Sequence, residues 1–141
     1  MTLGVDSFKA KLVGGGARTN LFKATVNFPS GVQGDVELSS FMIKAAQLPA
    51  SIIAPITVPF RGRQLQVAGD RTFEPWTVTV INDTNFSVRN STESWMNAIT
   101  GHTTNAGRHN PADSQDDMKV DNLNKNGNSL HTYNYQCCFT N

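Results

Sequence analysis

Cysteine is almost absent from this sequence, and neither sign of charge prevails. The 141 residues contain two cysteines, Cys137 and Cys138, which are neighbours. A bridge between adjacent residues would strain the peptide between them, and zinc sites need spaced partners. Both are read as reduced, structurally ordinary thiols. Lys and Arg number 12 against 11 for Asp and Glu, a net charge of +1. Such a balance disfavours a dedicated electrostatic DNA-binding domain. Apolar runs are only a few residues long, too short for a bilayer-spanning helix. The stretch Met1 to Lys11 lacks the basic-then-apolar layout of a secretory signal, so the Asn-X-Ser/Thr triplets around Asn82, Asn85 and Asn90 carry no glycosylation meaning. The chain reads as one soluble domain, 1–141, made in a cytoplasm and not inserted in a membrane.

What is present is mostly strand pattern. Residues 1–19 are Gly-rich around Gly14-Gly15-Gly16 and read as a flexible N-terminal arm. In Leu21 to Phe28, the residues Phe22, Ala24, Val26 and Phe28 alternate with others, the period of a strand. Glu37 to Gln47 is expected to be a second strand, with Phe41, Ile43 and Ala45 on one face. Pro49, Pro55 and Pro59 break up the segment from Leu48 to Phe60, which bars a central strand and predicts a loop. That loop is unusually apolar, with Ile52, Ile53 and Ile56. Strands are predicted over Gly62 to Ala68 and Phe73 to Asn82, joined at Gly69-Asp70, which would set Arg63 opposite Trp76. Val88, Thr92, Trp95, Met96 and Ile99 share one face of the one expected helix, from about Val88 to Thr100. Asn85 or Ser87 would cap it and Gly101 would stop it. His102 to Gln115 is a polar loop. A last hairpin joins Met118 to Leu123 with Ser129 to Phe139 through Asn126-Gly127. Trp76 and Trp95 are the expected core anchors.

The sequence offers little to chemistry. His102, His109, Asp113, Asp116 and Asp117 are close in the chain, but their spacing matches no metal motif. Gly14-Gly15-Gly16-Ala17-Arg18 lacks the lysine and the Ser/Thr of a phosphate loop. No serine sits in a nucleophile elbow and no carboxylate pair stands out. No catalytic residue, metal site or cofactor is expected. Arg61, Arg63 and Arg71, with Phe60, Phe73 and Trp76, form the only basic–aromatic cluster. It could touch nucleic acid, or make ion pairs with Asp70, Glu74 or Asp83 in this subunit or a neighbour. A β-rich domain with apolar surface left over and no active site fits a self-assembling structural protein.

The run from Val58 to Asp83, including Arg61-Gly62-Arg63 and Ala68-Gly69-Asp70-Arg71-Thr72-Phe73-Glu74-Pro75-Trp76, resembles the tail-tube proteins of contractile-tailed bacteriophages. The resemblance extends back through Phe22 to Pro29. It extends forward through the Arg89 to Ile99 helix, Asn110-Pro111 and the hairpin at Asn126-Gly127. It implies a mainly β fold, a β-sandwich or half-barrel with one packed helix, whose strands join into a ring barrel on oligomerisation. It also implies stacked hexameric rings that form the inner tube of a virion tail, assembled in the host cytoplasm. The implied partners are further copies of the chain, the tail sheath, the baseplate and the tape-measure protein, with DNA passing through the lumen without specific binding. Residues 48–59 correspond to a loop reaching the adjacent ring, so Ile52, Ile53, Ile56, Arg61, Arg63 and Arg71 become candidate interface residues. The tube proteins of contractile secretion or injection systems share the fold and are the alternative, with a small nucleic-acid-binding β-barrel behind them. The family continues with a further β segment after the region matching Tyr133 to Phe139, so either a longer chain or a dispensable last strand is expected.

Overall fold

The computed structural model describes residues 4–141. The first three residues of the expected arm lie outside the described residues. By its contacts the chain divides into two units, one formed by residues up to Met42 with Asn82–Asn141, the other by Ile43–Ile81.

The first unit is built on an antiparallel sheet of β1 (Phe22–Val26), β6 (Asp116–Leu123) and β7 (Ser129–Cys138), in the order β1-β6-β7. Its register sets Ala24 opposite Val120 and Val26 opposite Met118. Ala24, Met118 and Val120 are buried, so the period-two pattern of this strand does mark a core face. The turn between β6 and β7 is held by Asn124, whose side-chain oxygen accepts from the backbone N–H groups of Asn126 and Asn128, both at 2.9 Å. Helix α3 (Ser87–Ile99) buries Trp95, which is 1% exposed. The Trp95 indole N–H donates to the Ser114 carbonyl at 2.9 Å, and the Phe28 ring meets the indole edge-on at 5.9 Å. The start of α3 is held by neither expected cap. Asp83, three residues before a left-handed Phe86, accepts from the Ser87 N–H at 3.0 Å and the Ser87 hydroxyl at 3.1 Å.

Three helices, not one, occur among the described residues. Residues Val5–Lys11 of the expected arm form α1, followed by a 3-10 turn at Val13–Gly15. The expected strand from Glu37 is instead helix α2 (Val36–Met42), continued by a short strand β2 (Ile43–Ala46). Asp35 explains the difference: its carboxylate accepts from the Leu38 N–H at 3.0 Å, the third helical residue, which is the geometry of an N-cap. Ser39 is the buried residue of α2, and its hydroxyl donates to the Asp35 carbonyl at 2.7 Å.

In the second unit β2 pairs with β5 (Val78–Val80), and β3 (Ser51–Phe60) pairs with β4 (Arg63–Phe73) as a two-stranded ribbon. The fold is thus mainly β, in three small sheets, and none of them closes into a barrel among the described residues.

Candidate assembly surface

The ribbon departs most from the sequence reading. The proline-rich segment expected as a loop is the ten-residue strand β3, and Gly69-Asp70 is not a hairpin but lies inside β4. The turn is at Arg61-Gly62, with φ of 46° and 80°. Two consecutive positive φ values make the two-residue turn whose twist suits a hairpin. Arg63 therefore pairs with Phe60, not Trp76, and Arg61 lies over the Phe60 ring at 5.4 Å.

Gly69 serves a bulge. Ile53 pairs with Arg71 but Pro55 with Ala68, so Ala54 faces two residues of β4. A Cβ on Gly69 would come within 2.5 Å of the Ala54 carbonyl oxygen and 2.9 Å of the Ile56 side chain. Only glycine allows that approach.

Directly opposed residues in an antiparallel pair share a face. One face of the ribbon carries Ile52, Ile56, Val58 and Phe60 from β3 with Leu65 and Val67 from β4, where Ile56 opposes Val67 and Val58 opposes Leu65. All six are exposed, from 42% at Val58 to 65% at Phe60. The other face carries Ile53, Pro55 and Pro59, and there the Thr57 hydroxyl bonds the Gln66 side chain at 3.1 Å. The first face is the more continuously apolar, with Arg63 opposite Phe60 at the tip and Thr72 opposite Ile52, and it is open; the second also carries the exposed Phe73, opposite Ser51.

The structure sorts the candidate residues accordingly. Ile52 and Ile56 lie on the apolar face; Ile53 lies on the opposite one, paired with Arg71. Arg61 and Arg63 sit at the ribbon tip, while Arg71 is eight residues along β4, about 25 Å away at strand spacing. The three arginines do not form one patch, and among the described residues none of them is in an ion pair. Trp95 is buried in the first unit, whereas Trp76 is half-buried in the segment between β4 and β5. Sequence reasoning placed Phe60 only in the basic–aromatic cluster and read the segment around Val58 as a loop, because its prolines argued against a strand. Leu65 and Val67 lie on a strand that was expected, but their place beside Val58 and Ile56 follows only from the pairing.

Elsewhere, the buried Asp121 is the main charged site. Its carboxylate accepts from the Thr132 hydroxyl at 2.5 Å, from the Ser129 hydroxyl at 3.4 Å, and from the Lys119 ammonium at 3.0 Å. Burial pushes its pKa up, but these hydrogen bonds and the charge of Lys119 outweigh it and hold the carboxyl below its ordinary 3.8. Arg108 ties two loops, donating to the Ser30 carbonyl at 2.8 Å and to the Asp113 carbonyl. Among the described residues no three His, Cys, Asp or Glu side chains converge as metal ligands would. Nor is any described helix long and apolar enough to cross a membrane.

Comparison with known proteins gives this surface its context. Residues 13–139 match the model of a family described as phage tail tube protein. The chain is 39% identical over 85 residues to the tail tube protein gp19 of Enterobacteria phage T4, and 38% identical over 85 residues to that of Enterobacteria phage T6. Each match covers 60% of this chain and 48% of the relative, so the matched part spans about half the length of those two proteins. A tail tube protein of Serratia phage KSP90 is 30% identical over 136 residues, 94% of this chain and 77% of that protein. The chain belongs to the phage tail tube protein family, whose members are structural, non-enzymatic components of the virion tail.

Proposed function

We propose that this chain is the repeating subunit of a tail tube, forming stacked hexameric rings around a lumen that conducts DNA. In this reading the β3–β4 ribbon is the principal contact between subunits of adjacent rings, with its apolar face covered by the neighbour. The observation that carries the reading is that face: six large apolar side chains in one row, each exposed in the single chain. Monomers rarely leave such a row uncovered. The strands of neighbouring subunits join into the wall of the tube, while sheath, baseplate and tape-measure proteins are the further partners.

The near-neutral charge suits a conduit, since DNA must slide and not stick. Sedimentation across a concentration series tests the reading. Species near six times 15.4 kDa and larger are expected, without added metal or ligand. Duplex DNA should bind weakly, with no sequence preference. A chain that stays at 15.4 kDa at high concentration, or one that binds a particular DNA sequence tightly, contradicts it.

A further inference from the structure

The two edges of the ribbon are chemically unequal, and three observations establish how. A two-residue turn of this kind is closed by a hydrogen-bonded pair, here Phe60 and Arg63. Bonded and non-bonded pairs then alternate, so Pro59↔Gln64, Thr57↔Gln66 and Pro55↔Ala68 are non-bonded pairs. Both prolines fall where a missing N–H costs the ladder nothing, which is why β3 tolerates them. At the far end the Glu74 N–H donates to the Ala50 carbonyl at 3.0 Å, which makes Ser51↔Phe73 a non-bonded pair as well. The odd-numbered residues of β3 therefore turn their backbone groups outward along its whole length.

Along that outer edge of β3, Pro55 and Pro59 supply no donor. An incoming strand would meet N–H groups at Ile53 and Thr57, about 13 Å apart, with a gap at Pro55 between them. The outer edge of β4 differs. Gln64, Gln66 and Ala68 point consecutive N–H and C=O groups outward, in a stretch with no proline and no charged side chain between Arg63 and Asp70. No strand covers this edge among the described residues. Exposed edges are normally blunted by charge, proline or bulge. The β3 edge is blunted in this way, and the β4 edge is not blunted from Gln64 to Ala68.

We propose that the outer edge of β4, from Gln64 to Ala68, is the strand-adding edge of this subunit and takes up a strand from a second copy of the chain. The proposal rests on the tube reading above, since a self-assembling family supplies copies of the chain as the partner at hand. It adds a polarity to that reading: the ribbon extends on one side only, because Pro55 and Pro59 close the other. With only one edge open, each ribbon offers an incoming strand a single place to add, where open edges on both sides would invite open-ended sheet growth.

Three variants test the edge. Gln66→Pro removes an outward N–H and leaves the bonds between β3 and β4 in place. Gln66→Val keeps that N–H and removes only the side-chain bond to Thr57. Thr57→Pro removes an outward N–H from the edge that is already blunted. With circular dichroism to establish folding, Gln66→Pro should raise the concentration for half-assembly roughly tenfold or more, as loss of a hydrogen bond at an interface implies. Gln66→Val and Thr57→Pro should assemble like the wild type. Wild-type assembly by Gln66→Pro overturns the edge assignment and leaves the tube reading standing. Equal disruption by Thr57→Pro overturns the asymmetry. A wild-type chain that never exceeds 15.4 kDa sinks the tube reading, and with it the partner proposed here. Should Gln66→Pro fail to fold, hydrogen exchange on the wild type decides. Assembly should protect the amides of Gln64, Gln66 and Ala68 and not those of Ile53 and Thr57; the reverse pattern, or none, refutes the proposal.

Discussion

Placing a carboxylate on the apolar face of the ribbon should abolish stacking without unfolding the subunit. Leu65 is the cleanest site, at 59% exposed and opposite Val58 in the middle of the row. Full burial of a leucine side chain is worth about 1.5–3 kcal/mol, so covering the exposed part at an interface is worth about 1–2 kcal/mol. Leu65→Asp loses that gain and carries a carboxylate into an apolar contact, at a further cost of at least about 1 kcal/mol. The penalty is then about 2–3 kcal/mol per subunit. In a six-fold ring it repeats at every subunit, on the order of 12–18 kcal/mol per ring-to-ring contact if the terms add. Ile53→Asp is the matched control. It sits in the same strand but on the other face, opposite Arg71, where a new carboxylate gains an ion-pair partner. Sedimentation and electron microscopy should show Leu65→Asp as subunits or single rings, and Ile53→Asp assembling near wild-type levels. Both should keep the wild-type circular dichroism spectrum. If Ile53→Asp is the more damaging, or Leu65→Asp stacks normally, the apolar face is not the contact.

Trp95→Ala removes the largest buried side chain together with its bond to Ser114, and should cost roughly 3–5 kcal/mol by thermal or urea unfolding. An unchanged melting temperature would contradict the placement of that ring. Asp121 should make stability depend on pH at the acid end. Because its folded pKa lies below 3.8, its contribution is complete above that value and fades as pH falls through the lower, folded-state pKa. The melting-temperature advantage of wild type over Asp121→Asn should therefore be present at neutral pH and shrink below about pH 3.8; a gap that widens in acid would reverse the assigned sign. Gly69→Ala should loosen the ribbon, because the Ala54 carbonyl that its Cβ would meet is backbone and cannot swing away. Faster hydrogen exchange in β3 and β4 is expected, and an unchanged rate would show that the bulge relaxes freely.

Where one face of an element is buried, the sequence announced it. Ala24 and Val26 alternate on a strand that covers the core, and Trp95 sits on the apolar side of α3. The Asn126-Gly127 turn was equally legible, because its local chemistry admits few alternatives. The ribbon was not, for two physical reasons. Prolines exclude a central strand but not a ribbon whose outward positions need no donor, and parity with the turn decides which case applies. Gly69-Asp70 has the composition of a turn, yet it serves a bulge whose need for glycine comes from the Ala54 carbonyl across the ribbon. The Val36–Met42 helix was hidden by strand-like alternation at Phe41, Ile43 and Ala45, while the deciding residue, Asp35, lay just upstream. Of the interface candidates, Ile52 and Ile56 came from the apolar character of their segment together with the family resemblance, and the pairing sets both on one face. Leu65 and Val67 required the strand pairing to reveal them as their neighbours.

Electron microscopy of the purified chain would show directly whether it builds a tube. Six-fold rings with a central hole are expected, stacked into tubes at higher concentration, with the β3–β4 ribbon bridging successive rings. Particles without a hole, or tubes in which the apolar face of the ribbon points into solvent, would contradict this arrangement.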